Sequence, residues 1–200
     1  AAVTLLLASG TGVAAQGLEV EVTPMVGGQL FIGDLPGTFT LDDEDGSPVT
    51  FDGAEIEDAL AVGGRVGLRH GQHLGFGATV LYSPTTLTEA SGAETDLGMW
   101  VYGVDATYYT PSPSPLAQPF VLAGIGGKTY DLEGLDPATD LMWNVGAGLD
   151  LQFHPRAALR LEARDYMSLF DPEVGTADEE LQHDLGLTAG FRFAFGPGMP

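Results

Sequence analysis

The composition of this 200-residue chain limits the kinds of site that it can build. There is no cysteine, which excludes disulfides, thiolate metal sites and a cysteine nucleophile. The formal net charge is −21 at pH 7, which argues against nucleic-acid binding because that function requires a basic surface. The length is sufficient for one domain with a sizeable core.

The negative charge is concentrated in four segments. Segments 33–58, 84–97, 131–140 and 171–182 hold 21 of the 28 acidic residues and contain no Lys or Arg. The seven cations lie in or beside strand-like segments: Arg65, Arg69, Lys128, Arg156, Arg160, Arg164 and Arg192. This distribution predicts neutral strands joined by four acidic connections. Solubility or a saline habitat explains those acids as well as a specific role does.

The N-terminal residues have the pattern of a secretory signal. A short apolar run over 1–8 is followed by small residues that end in Val13-Ala14-Ala15. The run is too short to cross a bilayer as a helix. We therefore expect residues 1–15 to be a signal-peptide remnant and residues 16–200 to form the folded domain. An apolar first strand is the alternative interpretation of this run.

From Leu18 onward, apolar and polar residues alternate with a period of two, which predicts strands rather than helices. In the first strand Val20 and Val22 share one face, and Glu19 and Glu21 share the other. Eight such strands are predicted, at about 18–32, 59–69, 74–83, 98–110, 119–130, 141–153, 158–169 and 183–195.

The first acidic connection contains an oxygen-rich stretch, Asp42-Asp43-Glu44-Asp45. It resembles a calcium-binding loop, although Leu41 occupies the first ligand position of the usual pattern. The stretch predicts a weak site for a divalent cation.

The polar face of the strands combines glycine with charges of both signs. Such a face suits the narrow lumen of a membrane barrel, in which opposite charges pair and glycine leaves room for them. The apolar face is rich in large residues with aromatics near strand ends, as in the aromatic girdles of membrane barrels. The residues predicted to form a charge network in the lumen are Glu19, Glu21, Arg65, Asp105, Lys128, Asp150, Arg160, Glu162, Arg164, Asp184 and Arg192.

These features predict a closed, antiparallel, eight-stranded up-and-down transmembrane β-barrel. The connections 70–73, 110–118 and 154–157 contain no acid and return the chain on one side. Bacterial barrels have short periplasmic turns and longer extracellular loops, so we expect the acidic connections to lie outside the cell. Eight strands enclose a space only just wide enough for side chains, which disfavours an open pore.

The last predicted strand carries a recognisable motif. Thr188-Ala-Gly190-Phe-Arg-Phe193-Ala-Phe195 resembles the C-terminal β-signal of outer-membrane barrels. The whole of 18–195 resembles the OmpA/OmpX-type eight-stranded barrels of the outer membrane protein beta-barrel domain families. This resemblance implies insertion into a bacterial outer membrane by the barrel-assembly machinery, with Thr188, Gly190, Phe193 and Phe195 as the assembly signal. It implies contact with lipid and lipopolysaccharide, and no cofactor.

Three functions remain open at this point. The first is a non-enzymatic barrel that serves as a structural element or as a scaffold for acidic loops in adhesion or ion binding. The second is a lipid A-modifying barrel enzyme, for which Ser168 and His183 with Asp171 or Glu173 could form a catalytic set. The third is a secreted lipocalin-like binding protein, whose apolar face would point inward.

Overall fold

A computed structural model describes residues 18–32, 35–42, 48–89, 92, 94–132, 137–170 and 180–196. The predicted signal-peptide remnant lies outside these residues. Among them, no helix is long and apolar enough to cross a membrane. The ten strands are β1 (Leu18–Ile32), β2 (Leu35–Asp42), β3 (Pro48–Ile56), β4 (Ala59–His70), β5 (Leu74–Glu89), β6 (Glu94–Tyr109), β7 (Ala117–Leu132), β8 (Ala138–His154), β9 (Ala157–Phe170) and β10 (Glu180–Phe195).

Eight of the strands close into an antiparallel barrel. The hydrogen-bonded order is β1, β4, β5, β6, β7, β8, β9 and β10, and β10 pairs with β1 to complete the cylinder. Following register partners from Val22 once round the barrel returns to Ile32 on the same strand, so the strands are tilted relative to the barrel axis. The predicted fold and all eight predicted strands are confirmed.

The barrel has two distinct ends. We call the end that carries the four acidic segments the acidic end. The opposite end, with the connections between β4 and β5, β6 and β7, and β8 and β9, is the turn end. The β2–β3 hairpin belongs to the first acidic segment, and β3 pairs with β5 from Ala54↔Glu89 to Ile56↔Leu87. The hairpin therefore continues the barrel wall at the acidic end.

The acidic segments contain more strand than the sequence analysis predicted. Segment 33–58 was expected to be a connection, yet it includes β2 and β3. Segment 84–97 was also expected to be a connection, but β5 continues to Glu89 and β6 begins at Glu94. In these parts of the strands the outward positions are polar. The pattern by which the sequence analysis recognised strands, an apolar residue at every second position, is therefore absent there.

The apolar face of the barrel points outward. Val26, Val104 and Ile125 are 57%, 58% and 62% exposed, whereas Glu21 and Asp105 are buried inside. A lipocalin would bury its apolar face, so the lipocalin-like alternative is wrong. An exposed apolar band around a closed barrel is the surface expected of a protein embedded in lipid.

Near the acidic end the polarity of the wall is inverted. Tyr82 and Trp100 face outward with ring centroids 4.7 Å apart. Beyond them Asp96 and Asp131 are exposed, while Leu97 and Leu132, next to them in the sequence, face inward and are buried. The assignment of a polar lumen to the full length of the strands was therefore wrong at this end. The buried apolar side chains here form one cluster, which we call the apolar cluster: Ile56, Leu81, Leu87, Leu97, Met99, Val101, Tyr130, Leu132, Met142 and Tyr166, with Phe31 packed against it.

Candidate functional site

A continuous chain of ion pairs runs through the lumen on the turn-end side of the apolar cluster. Arginines and carboxylates alternate along it, and all are nearly or fully buried. We call this chain the ion ladder. In order, its members are Glu21, Arg192, Asp150, Arg160, Glu162, Arg164, Asp105 and Arg65. Four positive and four negative charges make the ladder electrically neutral.

The contacts within the ion ladder are direct. Arg192 Nη1 lies 2.5 Å from Glu21 Oε1, and Arg65 Nη2 lies 2.5 Å from Asp105 Oδ1 at the other end. Glu162 accepts hydrogen bonds from Arg160 Nε at 3.1 Å and from Arg164 Nη2 at 2.6 Å. Because Arg160 and Arg164 flank Glu162 along β9, the period-two alternation alone places these three side chains together.

Glycines give the ladder its space. Gly67 on β4 and Gly77 on β5 are register partners, and both face inward. A Cβ atom at Gly67 would lie 2.7 Å from Arg65 Nη1, and one at Gly77 would overlap the same guanidinium. The Arg65 side chain therefore occupies volume that any larger residue at either position would fill.

Aromatic side chains pack against two of the lumen arginines. The Arg160 guanidinium lies 3.7 Å from the Phe120 ring centroid, and that of Arg69 lies 3.9 Å from the Tyr109 ring centroid. Tyr109 also donates a hydrogen bond to Glu21 Oε2 at 3.2 Å. These cation–π contacts were missed in the sequence analysis. The alternation contained the signal, since Tyr109 shares the parity of Asp105 on β6.

A second buried ion pair lies within the apolar cluster. Lys128 and Asp184 contact each other, and neither is exposed to solvent. The Lys128 ammonium is 5.0 Å from the Tyr130 ring centroid and 5.6 Å from that of Phe31. Within the described residues, no ion pair joins Lys128 or Asp184 to the ion ladder.

Glu19 is the one predicted network residue that the structure leaves out of the ion pairs among described residues. It faces inward at the mouth of the turn end, where it is only partly buried. Its register partner on β4 is Arg69. Water screens charges at the mouth, so a close pair there gains less than one in the interior.

The predicted cation site falls outside the described part of the structure. Asp43, Glu44 and Asp45 lie outside the described residues, as does the side chain of Asp42. The weak cation site therefore stays a prediction. Within the described ranges, no group of three or more His, Asp or Glu side chains could hold a metal ion.

The catalytic set considered for an enzyme is not assembled. Ser168 is fully buried inside the barrel, whereas His183 lies on the outer face and contacts Asp165 at 3.1 Å. Neighbouring register pairs explain the separation: Ser168 is opposite Gln182, so His183 falls on the other face of β10. Asp171 and Glu173 lie outside the described residues. Ser168 and His183 are thus separated by the barrel wall.

The strand with the assembly motif closes the barrel. Phe193 and Phe195 are exposed on the outer face and pair with Val22 and Val20 of β1. Thr188 and Gly190 face the lumen on the same strand.

Comparison with known protein families decides the classification. Residues 1–193 match the family described as the outer membrane protein beta-barrel domain. The chain belongs to this family. An outer membrane protein beta-barrel domain resides in the bacterial outer membrane, in an environment of lipid and lipopolysaccharide, which agrees with the exposed apolar band. No curated protein sequence matches the chain.

Solved structures of the same architecture support the barrel fold. Neisserial surface protein A is 16% identical, with a TM-score of 0.60 over 90% of this chain and 97% of that chain. OprG from Pseudomonas aeruginosa is 11% identical, with a TM-score of 0.56 over 90% and 97% of the two chains. Outer membrane protein W of E. coli is 10% identical, with a TM-score of 0.51 over 90% and 98%. At these identities the likeness concerns the fold alone.

Proposed function

We propose that this protein is a non-enzymatic, closed outer-membrane barrel that presents acidic segments at the cell surface. In this role it is a structural element, or a scaffold for adhesion or ion binding. The observation that carries the proposal is the filling of the lumen, by the ion ladder on one side and the apolar cluster on the other.

The lumen contents argue for a closed barrel. Side chains that converge on the barrel axis, such as Arg160, Lys128 and Met99, have no solvent exposure. An eight-stranded barrel has only enough interior for side chains, so paired charges and an apolar cluster leave little space for a conducting path. An ion entering the apolar cluster would also lose its hydration, and the two charges buried there, Lys128 and Asp184, are already paired with each other.

The connections argue for the orientation of the barrel. The turn-end connections span 71–73, 110–116 and 155–156 and contain no Asp or Glu. At the acidic end, the chain between β1 and β4 is long enough to form the β2–β3 hairpin, and β9 and β10 are joined through residues 171–179. Short periplasmic turns and longer extracellular loops are usual in bacterial barrels. We therefore place the acidic end outside the cell, where its negative charge is available to divalent cations.

Assembly of the barrel is proposed to use the C-terminal strand. The barrel-assembly machinery would recognise Thr188, Gly190, Phe193 and Phe195 before β10 pairs with β1. The outward aromatics Phe193 and Phe195 are then left in contact with lipid.

Planar-bilayer recording tests the closed barrel. The purified, folded protein is expected to give no stable conductance steps, because the ion ladder and the apolar cluster both block the lumen. The matched variant Leu87→Ala with Met99→Ala removes bulk from the apolar cluster but leaves the ion ladder intact, so it too should remain closed. Large, long-lived steps from the unmodified protein would overturn the proposal.

A further inference from the structure

Arg69 stands apart from the other cations of the lumen. It lies next to the end of β4, is 8% exposed, and has no carboxylate within 4 Å among the described residues. Its Nη2 donates a hydrogen bond to the Gln72 carbonyl at 2.9 Å, whereas its buried Nε has no acceptor. By contrast, Arg65, Lys128, Arg160, Arg164 and Arg192 all have carboxylate partners.

None of the surrounding acids of the described residues makes a close ion pair with Arg69. The four carboxylates of the ion ladder are engaged by its own arginines. Glu19 is the register partner of Arg69, yet its carboxylate makes no ion pair with a described residue. A largely buried guanidinium without a close carboxylate is costly, and a bound anion would offset that cost.

The charge of the mouth favours an anion over water. The exposed residues at this end include Arg156 and His73 in the connections and His70 as the last residue of β4. No Asp or Glu occurs in residues 70–73, 110–116 or 154–157. The turn end therefore lacks the dense negative charge of the acidic end, so that apart from Glu19 little there repels an anion.

We propose that the turn-end mouth binds a small oxyanion, a phosphate or a carboxylate, on the guanidinium of Arg69. The planar fork of an arginine matches such an anion, and the Tyr109 ring beneath it fixes the plane of the guanidinium. Glu19, on the neighbouring strand β1, competes with the anion for the Arg69 guanidinium. The ion ladder and the apolar cluster keep the anion at the mouth, so this is a binding site and not a transport path. Free phosphate and the phosphate of a phospholipid headgroup are the two sources of this chemistry.

Nuclear magnetic resonance of the full chain in maltoside micelles provides the test. The Nε–Hε resonance of Arg69, assigned by its loss in Arg69→Lys, is followed while inorganic phosphate replaces chloride at constant ionic strength. The backbone amide of Gln72 reports binding in variants that lack Arg69. A second titration uses short-chain phosphatidylglycerol, and saturation at lower concentration than with inorganic phosphate identifies the lipid headgroup as the source.

The expected result is a saturable shift in the unmodified protein. Arg69→Lys keeps the charge but loses the fork, so it should bind about tenfold more weakly. Glu19→Gln removes the competing carboxylate from a partly exposed position and should bind several-fold more tightly. Arg156→Gln, which removes one positive charge from the exposed rim, should change affinity by less than about twofold. A shift that never saturates, or an Arg156→Gln effect as large as that of Arg69→Lys, would overturn the proposal, as would unchanged affinity in folded Glu19→Gln.

Discussion

At the residue scale, the buried charges depend on one another. Asp105, Asp150 and Glu162 each contact two arginines. Removing a charge from water costs several kcal/mol, and only a complete set of partners offsets that cost. The ion ladder therefore fixes which side chains can share the lumen, because the loss of any one member removes one partner, and for Glu21 and Arg65 at its two ends the only ion-pair partner within the ladder, from each buried neighbour.

The Lys128–Asp184 pair gives the cleanest prediction at this scale, because no ion pair links it to the ladder among the described residues. Lys128→Met and Asp184→Leu should each lower the free energy of unfolding by about 3–5 kcal/mol, since each leaves a buried charge without the partner that it contacts. The double variant should recover most of that loss, because two apolar side chains fit the surrounding cluster. Urea unfolding, followed by Trp100 and Trp143 fluorescence, measures all three.

Additive losses in the double variant would contradict this account of the pair. Every variant is produced in the same expression host and measured in the same lipid at the same protein concentration, so that the variants differ only at residues 128 and 184. Arg156→Gln on the exposed rim is the control and should change stability by no more than about 0.5 kcal/mol.

At the scale of the strand, the period-two alternation assigns each position to lipid or lumen. Gly77 and Ala78 are neighbours on β5, yet one faces Arg65 and the other faces outward. The same larger side chain should therefore destabilise the barrel at position 77 and have little effect at position 78. This contrast isolates the alternation from differences in local sequence.

Gly77→Val should displace the Arg65 guanidinium and destabilise the barrel by about 1–3 kcal/mol, as overpacking does. Ala78→Val adds an apolar side chain to the lipid face and should stay within about 0.5 kcal/mol. Urea unfolding of the two variants in the same lipid measures the difference. Equal effects at the two positions would mean that the face assignment of β5 is incorrect.

Strand positions and faces could be predicted where the outer surface is apolar. Val104 and Asp105 show this clearly, since one is exposed and the other is buried. The reversal at Asp96 and Leu97, where the polar residue faces outward and the apolar residue faces inward, could not be predicted. The sequence analysis assigns one pattern, apolar outside and polar inside, to the whole length of each strand. The order of the ion ladder was also beyond the sequence: Glu21 meets Arg192 only after β10 closes against β1, and that register depends on the whole barrel.

At the scale of the whole molecule, the barrel joins two kinds of interior. The turn-end side resembles the polar lumen of a membrane barrel, and the acidic end resembles a soluble β protein with an apolar core. This change coincides with Tyr82 and Trp100, outward aromatics of the kind that lie at a membrane interface. The part of the wall beyond them is therefore expected to stand in water.

Orientation in the cell is tested by single-cysteine labelling, which is clean because the chain has no cysteine of its own. On intact cells, Glu94→Cys at the acidic end should react with a membrane-impermeant maleimide. His73→Cys at the turn end should react only after the outer membrane is broken. The reverse pattern would place the acidic end in the periplasm.

The central claim is that the exposed apolar face contacts lipid. Spin labels at Val62→Cys, Val104→Cys and Val145→Cys, all outward and about half exposed, measure this directly in reconstituted bilayers. Collision with oxygen, which dissolves in the bilayer, should be frequent, and collision with a water-soluble nickel complex should be rare. Frequent collision with the nickel complex at all three positions would show that this face lies in water, which would contradict the account.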